Sequence, residues 1–162
     1  MNLQKSIKCG ELTVTNGSID VTDPCYDKEN EEKKIRFSLP IQNGKYDCLF
    51  TRKDQRVSSC SIVLNGVDES KLVNEWTVVD TIFVDSGLAG FFIDKPDYTD
   101  KEWKSLCNEL ADKDKKSSRD LHGVYMRKDA FFTSSGLGDG QYEVFISLRD
   151  DKIVAVKIQF ID

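Results

Sequence analysis

The sequence predicts a mainly β fold of the α+β class, an antiparallel sandwich or open barrel with one packed amphipathic helix. Three observations support this fold class. From residue 44 onward, apolar residues recur with the period of two that is typical of strands. The strand-like segments follow one another through short turns. One segment, residues 100–112, has helical spacing instead.

The N-terminal part is predicted to form a hairpin. Residues 11–14 and 18–22 have strand-like patterns on either side of Asn16-Gly17. This dipeptide is suited to the positive dihedral angles of a tight turn. We therefore expect these two strands to pair.

The next strands are predicted from alternation and composition. Tyr46, Cys48 and Phe50 share one face of a strand, and the following strand presents either Val57, Ser59 and Ser61 or Cys60, Ile62 and Leu64. Residues 76–84 are rich in β-branched and aromatic side chains, which favours a central strand. Residues 89–93 form a further short strand after the turn Asp85-Ser86-Gly87.

The helix is predicted over residues 100–112. Its apolar stripe has the spacing i, i+3, i+4 and i+7 and consists of Trp103, Leu106, Cys107 and Leu110. Thr99 stands where it can cap the first turn, three residues before Glu102. We expect the stripe to pack on a sheet.

The C-terminal third returns to strands, predicted at residues 123–126, 130–133, 141–148 and 153–161. The last two flank a polar four-residue connection, residues 149–152, which favours an antiparallel hairpin. The final strand is apolar enough to be buried on much of both faces. Adjacent aromatic residues such as Phe91-Phe92 and Phe131-Phe132 must point to opposite faces if they lie in strands.

Length and composition limit the classes of protein that fit. The 162 residues are 39% hydrophobic and 31% charged, which predicts a single folded domain over residues 1–162 and not a disordered chain. The net charge of -5 would repel a phosphate backbone, so we expect no nucleic-acid partner. No window of about 18 apolar residues and no apolar leader is present, so we expect neither a membrane span nor export.

The five cysteines indicate a reducing compartment. They form no C-x-x-C pair, and their odd number leaves one unpaired. A chain of this size does not depend on disulfides. We therefore predict reduced thiols and a cytoplasmic location, with the oligomeric state left open.

Three segments combine turn residues with acidic groups and join predicted strands. The first loop is Asp23-Pro24-Cys25-Tyr26, the second covers residues 85–90 with Asp94 close behind, and the third covers residues 134–142. If their ends of the sheets converge, they place carboxylates, hydroxyls and backbone amides in one concavity. The ligand-binding residues predicted on this basis are Asp23, Cys25, Tyr26, Asp85, Ser86, Gly87, Ser135, Gly138, Asp139 and Tyr142.

The same segments carry a resemblance to a known family. Val-Thr-Asp-Pro-Cys-Tyr, Val-Asp-Ser-Gly-x-Ala-Gly-x-Phe and Ser-Gly-x-Gly-Asp-Gly-x-Tyr occur in this order between Gly10 and Phe160. In this respect the chain resembles a family of uncharacterised bacterial and phage proteins. The resemblance implies a microbial origin and draws attention to the three loops, but it implies no reaction.

Two kinds of chemistry are open to these residues. Asp23, Asp85, Asp94 and Asp139 are the best candidates for the carboxylate oxygens that Ca²⁺ or Mg²⁺ selects, but residues of this type more often serve as acidic turn and cap residues. Zinc has too few clustered ligands here, because the chain contains one histidine and no paired cysteines. Cys25 could act as a nucleophile with His122 as its base, or be a small buried hydrophobic residue.

Three functional hypotheses follow from the sequence. The first is a non-enzymatic binding module that presents the three loops to a small ligand or to a protein partner, with no resident cofactor. The second is a hydrolase that uses Cys25 and His122 or the acidic metal cluster. The third is a role in bacterial or phage conflict, in which a small acidic protein neutralises a toxin or a defence component.

Overall fold

The computed structural model describes residues 5–25, 36–93, 99–118, 120–125 and 129–162. These residues form eleven strands, an α-helix and a short 3-10 helix. The elements are β1 Ile7–Val14, β2 Ser18–Thr22, β3 Arg36–Pro40, β4 Gly44–Lys53, β5 Arg56–Leu64, the 3-10 helix Glu69–Leu72, β6 Thr77–Val84, β7 Leu88–Phe92, α1 Asp100–Lys116, β8 His122–Tyr125, β9 Ala130–Ser134, β10 Gly140–Arg149 and β11 Lys152–Gln159.

The strands form two antiparallel sheets that pack face to face. The six-stranded sheet has the order β1-β4-β5-β11-β10-β6, and the five-stranded sheet has the order β3-β2-β7-β9-β8. The main core lies between them and contains buried side chains from both, such as Phe50 and Ile62 on one side and Phe91 and Phe131 on the other. The predicted mainly β fold of the α+β class is confirmed: two antiparallel sheets with one helix, not closed into a barrel.

Helix α1 covers the outer face of the five-stranded sheet, as its apolar stripe predicts. Alternation along β7 and β9 turns Phe92 and Phe132 away from the main core and under Trp103 and the rest of the stripe. The rings of Phe92 and Trp103 meet edge to face with centroids 5.0 Å apart. The Thr99 hydroxyl accepts the Glu102 amide at 3.2 Å, which confirms the predicted cap. The helix continues four residues beyond the predicted end, to Lys116.

The predicted N-terminal hairpin is wrong, although both of its strands exist. Strand β1 pairs with β4 in the six-stranded sheet, whereas β2 pairs with β3 and β7 in the other. Asn16-Gly17 therefore crosses from one sheet to the other, with Gly17 at a φ of 73°. The Gly17 amide donates to Asn43 Oδ1 at 2.7 Å, and its carbonyl accepts the Ile41 amide at 3.0 Å. These partners replace the hydrogen bonds of a hairpin.

The prediction of a central strand at residues 76–84 is also wrong. Strand β6 lies at the edge of the six-stranded sheet and pairs with β10. Its first half faces solvent, with Val78 46% and Val79 40% exposed, and only its second half reaches the core through Ile82 and Val84. Composition favours strand formation, but it does not distinguish an edge from a centre.

The open alternative for β5 is explained by an irregularity. Cys60 and Ile62 face the main core, and Leu64 packs against it. Val57 also belongs to that core, because the register against β4 shifts between Thr51 and Arg52. Val57 of the first predicted face therefore points into the core before the shift. Cys60 and Ile62 of the second predicted face point into it after the shift.

The C-terminal hairpin is confirmed. Strands β10 and β11 pair through a connection in which Asp150 and Asp151 both have positive φ angles, 51° and 64°. Val156 and Ile158 of β11 face the main core, while Ala155 belongs to a smaller cluster on the opposite face. The final strand is thus buried on both faces, as its composition predicts.

Candidate functional site

The first and second loops are joined by the carboxylate of Asp23, which is fully buried. Its Oδ1 accepts the Cys25 amide at 2.9 Å and the Ser86 hydroxyl at 2.6 Å. Its Oδ2 accepts the amides of Asp85 and Ser86, each at 2.8 Å. Burial raises the pKa of Asp23, and these hydrogen bonds oppose the rise. An ionised carboxylate has about four acceptor positions, so Asp23 holds the loops together and has none left for a ligand.

The second and third loops are joined by a backbone hydrogen bond. The Ser135 amide donates to the carbonyl oxygen of Gly87 at 2.9 Å, one residue beyond the β7–β9 ladder. Within the third loop, the hydroxyls of Ser135 and Tyr142 both donate to the carbonyl oxygen of Gly138 at 2.6 Å. Tyr142 therefore stabilises the conformation of the third loop through its hydroxyl group.

Gly136 lets the third loop lie directly against the six-stranded sheet. Its φ is 67°, and a Cβ atom there would stand 2.4 Å from the carbonyl oxygen of Val57. A contact of that length is sterically forbidden, so a side chain would push the loop away. Glycine at this position fixes how the third loop meets β5.

The joined loops border a cavity of about 450 Å³. The first residue of β5 and the C-terminal end of α1 complete its wall, so segments distant in the chain converge here. Its lining residues are Arg56, Asp85, Ser86, Gly87, Asp114, Ser118, Ser134, Ser135, Gly136, Leu137, Gly138 and Asp139. Six of the predicted ligand-binding residues are in this set: Asp85, Ser86, Gly87, Ser135, Gly138 and Asp139.

The sequence-based prediction missed Asp114 of α1, a buried carboxylate in the cavity wall. The Ser134 hydroxyl donates to its Oδ1 and accepts the Leu121 amide at 2.7 Å. A signal for this residue is present in the sequence. Asp114 follows Leu106 and Leu110 at intervals of four, so it continues the apolar stripe with a charged group.

Arg56 and Ser118 were also missed, and their local sequence carries no signal for a site. Arg56 begins β5 in the six-stranded sheet, whereas Ser118 follows α1 on the other side of the molecule's core. Only the packing of the two sheets and the helix brings them to one cavity. Arg56 is the basic residue that lines this cavity, beside the acidic residues Asp85, Asp114 and Asp139.

Cys25 and His122 do not come together. Cys25 packs against the cluster under α1, on the outer side of the five-stranded sheet. The His122 ring stacks on Phe50 with centroids 4.1 Å apart, on the inner side of the same sheet. Because the sheet separates the two side chains, the predicted thiol and imidazole pair does not form.

The four acidic residues predicted to form one site do not all line the cavity. Asp85 and Asp139 line the cavity, whereas Asp23 lies behind it with its oxygens occupied. Asp94 and Tyr26, the other predicted site residues of these segments, lie outside the described residues. Within the described ranges, no group of three or more His, Cys, Asp or Glu side chains is arranged to hold a metal ion.

A second cavity, of about 660 Å³, lies on the outer face of the six-stranded sheet. Its lining includes the half-buried Lys157, whose Nζ lies 4.6 Å from the ring centroid of Trp76 and 5.0 Å from that of Phe145. Burial lowers the pKa of Lys157. The two aromatic rings already satisfy this charge, so the first cavity offers the stronger set of groups for a ligand.

Comparison of the chain with protein-family models, with curated proteins and with solved structures found no significant match. The resemblance to bacterial and phage proteins therefore stays a prediction. In the part of the chain that the structure describes, no helix has both the length and the apolar character needed to cross a membrane.

Proposed function

We propose that this protein is a non-enzymatic binding module whose cavity between the second and third loops takes a small polar ligand. The observation that supports the proposal is the convergence of Arg56, Asp85, Asp114 and Asp139 around one concavity. These residues come from four separate segments. Concave sites in which a few polar groups converge are typical of ligand binding.

The charges of the wall favour a ligand that carries a positive group. Three acidic residues, Asp85, Asp114 and Asp139, line the cavity together with one basic residue, Arg56. Four serines also line the cavity: Ser86, Ser118, Ser134 and Ser135. The hydroxyls of Ser86, Ser134 and Ser135 already donate their protons within the protein, so they offer a ligand acceptor positions only. An amino sugar or another hydroxylated amine matches this set, whereas a nucleotide brings like charge to the carboxylates.

Catalysis by a thiol and an imidazole receives no support from the geometry, because Cys25 and His122 lie on opposite sides of the five-stranded sheet. Metal-dependent hydrolysis remains the alternative. It would have to use Asp85 and Asp139, which both line the cavity. Ca²⁺ and Mg²⁺ therefore belong in the binding test.

The test is thermal unfolding of the full chain with glucosamine, galactosamine, arginine, ATP, CaCl₂ or MgCl₂. A ligand that binds only the folded state raises Tm in proportion to the logarithm of its concentration. We expect an amino sugar to raise Tm and Asp139→Asn to abolish that rise. Asp112→Asn is the matched control, because Asp112 is an exposed carboxylate of α1 that pairs with Lys116 outside the cavity.

The outcomes separate the alternatives. No shift with any compound of the set, or an equal shift in the Asp139→Asn variant, would contradict the proposed ligand site. A shift with CaCl₂ or MgCl₂ alone that is lost in the same variant would instead support a cation site and the metal-dependent alternative.

A protein partner is the second candidate, favoured by Leu137 at the rim of the same cavity. Its side chain is 63% exposed, and large exposed apolar residues at a pocket rim often anchor a partner. The resemblance to bacterial and phage proteins makes a toxin or a defence component a partner class to examine. Leu137→Asp should abolish the co-purification of a protein partner with the chain from a bacterial host. Leu148→Asp, at an exposed leucine of β10, should not abolish it.

A further inference from the structure

Two cysteines from distant segments meet between the first loop and α1. The Cys107 thiol donates a hydrogen bond of 2.9 Å to the carbonyl oxygen of Pro24, 83 positions away in the chain. Pro24 directly precedes Cys25, and both cysteines pack against the cluster under α1. Both are free cysteines of intermediate burial, unlike the fully buried Cys48 and Cys60.

The thiol of Cys25 is activated by its neighbours. Hydrogen bonding by Cys107 lowers the pKa of Cys25, and the Ser86 hydroxyl acts in the same direction, while burial and the charge of Asp23 oppose them. The single proton of Cys107 can turn from the Pro24 carbonyl to the Cys25 sulfur when that sulfur ionises. A thiolate with a donor in contact is the arrangement expected of a reactive cysteine.

The other three cysteines have a different environment. Burial raises the pKa of Cys9 to about 11 and that of Cys60 to about 12, and it raises the pKa of Cys48 further. Cys48 and Cys60 are buried in the main core. Reactivity should therefore concentrate at the pair under α1 and not in the core.

We infer that Cys25 and Cys107 are a redox-responsive dithiol that closes to a disulfide when it meets a low-molecular-weight disulfide such as oxidised glutathione. The Cys25 thiolate attacks one sulfur of the oxidant, forms a mixed disulfide and releases one glutathione thiolate, which takes up a proton. The Cys107 thiolate, its proton lost to solvent, then attacks the Cys25 sulfur. The second glutathione leaves as a thiol, so two protein thiols are oxidised while one disulfide is reduced to two thiols.

Closure would fasten two parts of the cavity to each other. The first loop holds the second through Asp23 and Ser86, and α1 supplies Asp114 to the cavity wall. A crosslink between distant segments also restricts the unfolded chain, which raises stability. The inference concerns the thiols themselves and does not depend on which ligand the cavity takes.

The experiment treats the reduced full-length protein with oxidised glutathione, quenches it with an alkylating agent and maps its peptides by mass spectrometry without reduction. We expect a linked peptide containing Cys25 and Cys107 and a Tm higher than that of the reduced protein by roughly 5–15 °C. The linked peptide and the rise in Tm should both be absent in Cys25→Ala and in Cys107→Ala. The matched control Cys9→Ala, which removes a thiol of β1, should retain both.

Two outcomes would overturn the inference. One is a stable glutathione adduct on Cys25 that Cys107 does not displace. The other is a set of thiols that all remain alkylatable after treatment, or that pair differently. If one variant fails to fold, the other still tests the assignment, because each lacks a different half of the pair.

Discussion

Asp23 and Ser86 are joined by two hydrogen bonds, one from the Ser86 amide at 2.8 Å and one from its hydroxyl at 2.6 Å. The two residues belong to loops that are 63 positions apart. This double contact holds the second loop in place, and Asp85, Ser86 and Gly87 of that loop line the cavity. The first loop therefore supports the candidate site and does not line it.

The Asp23 contact predicts a large loss of stability on truncation. Asp23→Ala leaves buried amides without an acceptor, and each buried unsatisfied donor costs about 1–3 kcal/mol. We expect the free energy of unfolding, measured by urea denaturation, to fall by about 3 kcal/mol or more. Asp23→Asn should lose less, because an amide oxygen retains part of the acceptor capacity. Equal stability of Asp23→Ala and the wild type would show that the contact is dispensable.

Gly90 predicts a second stability effect, at the centre of the five-stranded sheet. A Cβ atom there would stand 2.0 Å from the carbonyl oxygen of Phe131 and 2.9 Å from the Cα of Phe132. Both neighbours are backbone atoms of β9, so the strands would have to separate. We expect Gly90→Ala to lower the free energy of unfolding by about 3 kcal/mol or more.

Gly140 provides the control for this substitution. A Cβ atom at Gly140 would meet Tyr142 Oη at 3.6 Å, an ordinary contact, and its φ is not in the left-handed region. We expect Gly140→Ala to change stability by about 0.5 kcal/mol or less. If Gly90→Ala were equally mild, the close approach of β7 and β9 would not be a constraint.

The turn between β10 and β11 predicts a stabilising substitution. Asp150 and Asp151 both have positive φ angles, which cost an L-residue about 1–2 kcal/mol and suit glycine. We expect Asp151→Gly to raise the free energy of unfolding by about 0.5–1 kcal/mol. Gln55→Gly should act similarly in the turn between β4 and β5, where φ is 67°. Lys152→Gly, at the start of β11, should instead destabilise the protein.

Cys25 predicts a pH dependence of thiol modification. Its pKa is lowered chiefly by hydrogen bonding from Cys107, so a larger thiolate fraction exists below pH 9 than for an ordinary cysteine. Since the thiolate is the nucleophile, Cys25 should react with iodoacetamide at lower pH than Cys9, whose pKa is raised to about 11. Peptide mass spectrometry over a pH series measures both midpoints. Cys107→Ala should move the Cys25 midpoint upward, and an unchanged midpoint would contradict the assigned cause.

The helix and every described strand except β3 could be predicted, because their signals are local. Strand β6 begins within one residue of its predicted start, and α1 begins at its predicted residue with the predicted cap. Strand alternation and helical spacing involve only residues a few positions apart, so both patterns can be read from the sequence without a structure. Pairing is different, because β1 and β2 bury similar residues and either could have paired with several strands.

The cavity was predicted in part for the same reason. Turn residues marked the second and third loops, and Asp85 and Asp139 do line it. Asp114 was missed because the predicted helix ended at residue 112, although Asp114 continues the spacing of Leu106 and Leu110. Arg56 was missed because it comes from the other sheet.

The sequence by itself determined most of the secondary structure, the buried face of α1, and the chemical character of the loops, but neither strand β3 nor the buried face of β5. The tertiary structure alone decided which strands pair, that β6 lies at an edge, and that Cys107 bonds to the first loop at Pro24, next to Cys25, while His122 stacks on Phe50. The physical reason is that burial patterns set which side of an element faces inward. The partner that covers this side is selected by the packing of the whole chain, which joins residues far apart in the sequence.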